Sequence, residues 1–139
     1  NYGAANFFAL LNTNGLDVYA YGNFGMGLAF GVCALLTVSG VRRAGRMNRR
    51  MYLRYALLFP LMIVFCLPRM HERYFYLADA MAIAAAAEDR RMTPAAGLIA
   101  LASLGSYWET ALPLSACAWM MFAAGIWTIG HTQREENML

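Results

Sequence analysis

The sequence predicts an all-α fold: a polytopic membrane helix bundle of about five transmembrane helices, with a short interfacial helix at the N-terminus. Composition is the first reason, since 60% of the 139 residues are hydrophobic and only 14% charged, with a mean hydropathy of +0.43. That is too apolar for a typical soluble domain of this size. Apolar runs that recur along the chain, split by short polar turns, are the second. The third is charge placement. All eleven basic residues are arginine, and most sit in those turns, where they report membrane topology. A net charge of +3, confined to loops, argues against nucleic acid as a partner and for the lipid bilayer.

Residues 1–22 read as an external interfacial segment, in which Phe7, Phe8, Leu10 and Leu11 form a short helix before a turn at Asn12-Thr13-Asn14-Gly15. Asp17, Tyr19, Tyr21 and Asn23 continue a wet aromatic border of the kind found at headgroup level. Residues 23–139 read as the C-terminal transmembrane bundle of a longer protein. No initiator Met, basic n-region or cleavage site opens the chain, so no signal peptide is expected.

Helix one is expected from Phe24 to Val41, long enough for a hydrocarbon layer of about 30 Å. Gly27 and Gly31 lie in GxxxG spacing and are read as a packing face, because no strand precedes them to make a phosphate loop. Arg42 to Arg50 then places five arginines in nine residues, with Arg54 just beyond. Helix two is expected from Met51 to Leu67 around a kink at Pro60, and Pro68 ends it. Helix three must begin near Arg69 to reach about 20 residues by Glu88. After Glu88-Asp89-Arg90-Arg91, Thr93 is the expected N-cap and Pro94 the first residue of helix four, which runs to Trp108. Tyr107, Trp108 and Glu109 mark an interface, and Pro113 opens a fifth helix ending near Ile129.

Alternating the sides collects Arg42, Arg43, Arg46, Arg49, Arg50, Arg54, Arg90, Arg91 and Arg134 on the cytoplasmic side and leaves Arg69 and Arg73 opposite. Nine against two is the positive-inside pattern. The two exceptions share one stretch, Pro68-Arg69-Met70-His71-Glu72-Arg73-Tyr74-Phe75-Tyr76-Leu77-Ala78-Asp79, which holds five ionisable residues between apolar runs. At a helix start, the free backbone N–H groups and Arg69 and Arg73 make an anion site suited to phosphate. His71 can pass a proton to a leaving phosphate, and Glu72 can orient an Arg or accept a sugar hydroxyl. Asp79 lies seven residues after Glu72, on the same helical face and about 10 Å deeper. It must there be protonated, paired or turned to a polar cavity. The plain alternative is that Glu72 pairs with an arginine and merely anchors the helix.

Other chemistries find less support. His71 and His131 fall on opposite sides, so they cannot be the two axial ligands of one haem. No Gly-x-Ser-x-Gly or comparable setting supplies a nucleophile. Cys33, Cys66 and Cys117 lie singly in apolar runs without CxxC spacing, which reads as helix-packing filler rather than a disulfide or zinc site. No resident cofactor is expected, and a divalent metal is left open.

At Pro68-Arg69-Met70-His71-Glu72-Arg73-Tyr74-Phe75-Tyr76 the chain resembles bacterial membrane mannosyltransferase-like proteins related to the second GPI mannosyltransferase, in the GT-C superfamily of glycosyltransferases. Gly3-Ala4-Ala5-Asn6 before Phe7 looks like the family's preceding external segment, which often reads Asn-Ala-Pro-Asn before an aromatic residue. The resemblance implies a multi-helix enzyme of the bacterial plasma membrane. Such an enzyme transfers mannose or another hexose, with inversion, from a polyprenyl-phosphate donor to an acceptor hydroxyl at the external face. It implies that His71, Glu72 and Arg73, with Arg69 and Asp79 beside them, bind the donor phosphate and sugar. The catalytic base would stand in a first external loop on N-terminal helices missing from this chain, and Asp17 is a poor candidate for it. A fragment of this kind would be inactive alone. The competing reading is a non-enzymatic polytopic membrane protein, such as a transporter half or an assembly scaffold.

Overall fold

A computed structural model describes residues 4–11, 18–67, 70–107 and 112–137, and every regular element among them is helical. The helices are α1 (Phe7–Leu10), α2 (Val18–Arg43), α3 (Arg49–Cys66), α4 (Tyr76–Glu88), α5 (Thr93–Tyr107) and α6 (Leu114–Glu136). Short 3₁₀ turns at Ala44–Arg46, Glu72–Phe75 and Arg90–Met92 join them.

Helices α3, α4, α5 and α6 form a closed ring in which each packs on the next and α6 returns to α3. Small side chains make this close approach feasible where apolar attraction between helices is weak. Thus α4 buries Ala78, Ala82 and Ala85, spaced along one face, while α5 contributes Ala95, Ile99 and Ala102. Larger groups fill the centre from α3 (Leu57, Leu61, Val64) and α6 (Met121). Cys66 and Cys117 are buried in this core as free thiols, the filler role their apolar setting suggests.

Helices α5 and α6 pack closely, and α6 also meets α3 at Gly125, where an added methyl group would stand 2.5 Å from Met62 Cε. A methyl group added at Gly105 would stand 2.8 Å from Cys117 Sγ and 3.0 Å from Leu112 Cδ1. No described residue packs on the expected face of α2: nothing among the described residues lies within 4 Å of a methyl group added at Gly27 or Gly31. Helix α2 packs on α3 through its other side, where the Ser39 hydroxyl lies 2.8 Å from the Tyr55 hydroxyl and Arg43 reaches both. Its remaining surface is apolar and open, with Phe30 76% and Leu35 72% exposed.

Helix α2 spans Val18 to Arg43 instead of 24–41, and only α2 and α6 among the described helices are long and apolar enough to cross a membrane. Helix α3 holds Pro60 inside it and runs on to Cys66. Thr93 is not an N-cap: its backbone is already helical, and Asp89 caps the preceding 3₁₀ turn by accepting from the Arg91 N–H at 3.1 Å. A carboxylate placed before the turn outcompetes the hydroxyl four residues later, so the helical run begins earlier. Likewise α6 continues past Ile129 to Glu136, where Arg54 of α3 holds the His131 carbonyl and Glu135, and the Thr132 hydroxyl donates to the Thr128 carbonyl.

The N-terminal helix packs on α6 and α3 rather than standing apart from the bundle. Asn6 caps it, accepting from the Ala9 N–H at 3.0 Å, and donates through Nδ2 to the Leu67 carbonyl at 3.1 Å. Of the polar segments named above, Asn12 to Asp17, Pro68, Arg69, Trp108 and Glu109 lie outside the described residues.

Candidate functional site

Antiparallel packing gives the bundle two ends with different polar chemistry. One collects the start of α3, the α4–α5 turn and the end of α6. The other collects the end of α3, the turn before α4, the end of α5 and α1.

The charged stretch stands at the second end. It does not start a helix near Arg69. Tyr74 N–H donates to the His71 carbonyl at 3.1 Å, closing a 3₁₀ turn, and α4 begins only at Tyr76. Buried Phe75, the cap residue of α4, anchors that turn, which packs against α3, α4 and α5. The free N–H groups at an α-helix start are therefore not those of His71, Glu72 and Arg73. The continuous register that would put Glu72 and Asp79 on one face is interrupted too.

His71 and Glu72 are half-buried, while Arg73, Tyr74 and Tyr76 are exposed. The His71 ring stands 6.0 Å from the Tyr74 ring, centroid to centroid. Among the described residues Glu72 and Arg73 make no ion pair, so the plain anchoring pair does not form between them. Arg69 lies outside the described residues. Asp79 points toward α5, where the Ser103 hydroxyl donates to Oδ2 at 2.8 Å. Its Oδ1 is buried and has no partner among the described residues. A buried acceptor left unsatisfied costs about 1–3 kcal/mol, and native structures seldom carry one without a reason.

The first end holds what the sequence reading missed. Arg54, counted there as one more loop arginine, is 2% exposed. Its guanidinium reaches Asp89 at 2.5 Å, Glu135 at 2.6 Å and the His131 carbonyl at 2.9 Å. Each carboxylate has a second donor, Asp89 from the Arg91 N–H and Glu135 from Asn48 Nδ2 at 2.5 Å. Asn48 also caps α3 by accepting from the Met51 N–H at 2.9 Å, so a single side chain ties the cap to the network. Burial alone pushes the Asp89 carboxyl up, but the Arg91 N–H and the Arg54 guanidinium outweigh it, with Arg50 adding to them. The net effect holds Asp89 below the usual carboxylate range.

A signal for this network existed in the sequence. Arg54 is followed directly by the apolar run 55–67, and Asp89 and Glu135 are carboxylates assigned to the same side. His131 stacks on Trp127 at this end, far along the bundle from His71.

Asn6, in the first of the two resembling segments, donates to the carbonyl of Leu67, the residue just before the second, 61 positions along the chain. No family model, curated protein or solved structure matches the chain.

Proposed function

We propose that the chain is the C-terminal part of a polytopic membrane glycosyltransferase, with the charged turn at the non-cytoplasmic face holding a polyprenyl-phosphate-linked hexose. The hydrogen bond from Asn6 to Leu67 supports the reading, because it brings the first stretch that resembles the family to the residue that immediately precedes the second. Exposed Arg73, with Arg69, grips the donor phosphate, and His71 hydrogen-bonds the departing phosphate oxygen. Glu72 accepts from a sugar hydroxyl. The acceptor oxygen attacks the anomeric carbon as the bond to phosphate breaks, and the base that takes its proton comes from helices outside this chain. The arginine-rich end then faces the cytoplasm of a bacterial plasma membrane.

A scaffold or transporter half is the second reading, and the Arg54 network favours it. The most fully built polar feature joins three helices and lies away from the charged turn. Donor-lipid binding and thermal melting on the complete protein separate the two. Arg73→Ala is expected to lose roughly ten- to a hundredfold in affinity at unchanged melting temperature. Wild-type affinity in that variant would overturn the donor site. For orientation, cysteines at Gly45 and Tyr107, in a protein otherwise free of cysteine, are expected to label from opposite sides; labelling from one side would overturn the topology.

A further inference from the structure

The Arg54 end has turned its acids inward. Asp89 and Glu135 are committed to Arg54, and Glu88 lies 3.3 Å from Arg49. That leaves Arg42, Arg46, Arg50, Arg90, Arg91 and Arg134 exposed, none of them in an ion pair among the described residues. Six exposed arginines that form no ion pair among the described residues make a surface suited to an external anion.

What lies beneath the rim identifies the anion's source. One turn inward from Arg49, Tyr52 is 67% exposed. On α6 the Trp127 indole donates to the Arg91 carbonyl at 3.0 Å while part of its ring stays exposed. Further from the rim along their helices come exposed Val38 and Ile126. Arginine, then amphipathic aromatic, then aliphatic is the order of headgroup, interface and hydrocarbon in a bilayer leaflet. An acidic protein or a nucleic acid would match the rim but not the apolar band that follows it.

The geometry points to a binding rim for anionic glycerophospholipid headgroups at this end, opposite the charged turn and separate from the donor. Guanidinium forks take phosphate oxygens in pairs, which an ammonium cannot do. Tyr52 and Trp127 pack on the glycerol and upper acyl region. This inference rests on the membrane reading above and not on the glycosyltransferase reading.

The test uses the full chain purified in neutral detergent, with short-chain phosphatidylglycerol and phosphatidylcholine as probes and inorganic phosphate as competitor. Phosphatidylglycerol is expected to bind preferentially, to resist equimolar inorganic phosphate, and to lose its preference as salt rises from about 0.05 to 0.5 M. Arg42→Gln/Arg46→Gln/Arg90→Gln is expected to lose at least roughly tenfold in that preference, several-fold per arginine. The matching triple Lys variant should recover only part, which separates fork recognition from bare charge. Equal binding of the two lipids by the wild type overturns the rim whatever the variants do. So does unchanged preference in the Gln variant, or displacement by phosphate as effective as by lipid. Flotation with pure phosphatidylcholine vesicles isolates the premise: a chain that fails to float loses the membrane reading and this rim with it, whereas one that floats without headgroup preference loses the rim alone.

Discussion

The two ends of the bundle treat buried charge in opposite ways. At the Arg54 end each oxygen of Asp89 and Glu135 has its own donor, and one guanidinium serves three helical segments. Among the described residues at the other end, Asp79 has one donor for two oxygens, and half-buried Glu72 and exposed Arg73 form no ion pair. At the first end every oxygen of those two acids is taken and the unmatched buried group is a donor, Arg54 Nε; at the second the unmatched buried group is an acceptor, Asp79 Oδ1. The first end ties helices together through Arg54, and the second keeps its polar groups without such a tie among the described residues.

Arg54→Ala should break this contrast hardest. It strands two acids in a site with little access to water, and loss of one partner from a buried ion pair costs about 3–5 kcal/mol. Unfolding in detergent should show that loss, and a change below about 1 kcal/mol would mean that the network is not structural.

Acid probes the same network. The folded Asp89 carboxyl sits below its ordinary value near 3.8, so the unfolded chain takes up the proton first as pH falls. Its stabilising contribution is therefore complete above that value and drains as pH drops through the folded one. Asp89→Asn should flatten this part of the melting-temperature profile below about pH 4, and an unchanged profile would count against the pairing.

Packing offers a third comparison. Gly105→Val should destabilise by about 1–3 kcal/mol, because the added carbons meet Cys117 and Leu112. Gly31→Val, with open space around it, should stay within about 0.5 kcal/mol in detergent. Equal effects would place a partner on α2.

The smallest effects belong to the charged turn. Asp79→Asn keeps an acceptor for the Ser103 hydroxyl and removes an ionisable group from a buried site, so the melting temperature should hold or rise. A loss as large as that of Arg54→Ala would show that Asp79 is structural. Arg73→Ala should leave stability within about 0.5 kcal/mol, since the side chain is exposed.

Local sequence determined the helical elements and their polar boundaries. Residues such as Asn48 carry a cap wherever the chain folds, and an apolar run between arginines has few alternatives to a helix. It also marked 69–79 as the odd charged stretch. Which faces meet was decided elsewhere. Gly27 and Gly31 carry the familiar spacing, yet Gly105 against Cys117 makes a close contact, because helix order around the ring sets which small residue finds a neighbour. Arg54 reads like Arg49 or Arg50 in the sequence. Only the convergence of Asp89 and Glu135, 35 residues away and near the C-terminus, makes it the buried centre of one end. Charge spacing within a helix is a local property with a fixed period, whereas pairing between helices depends on rotation about each axis, and no single segment encodes that rotation.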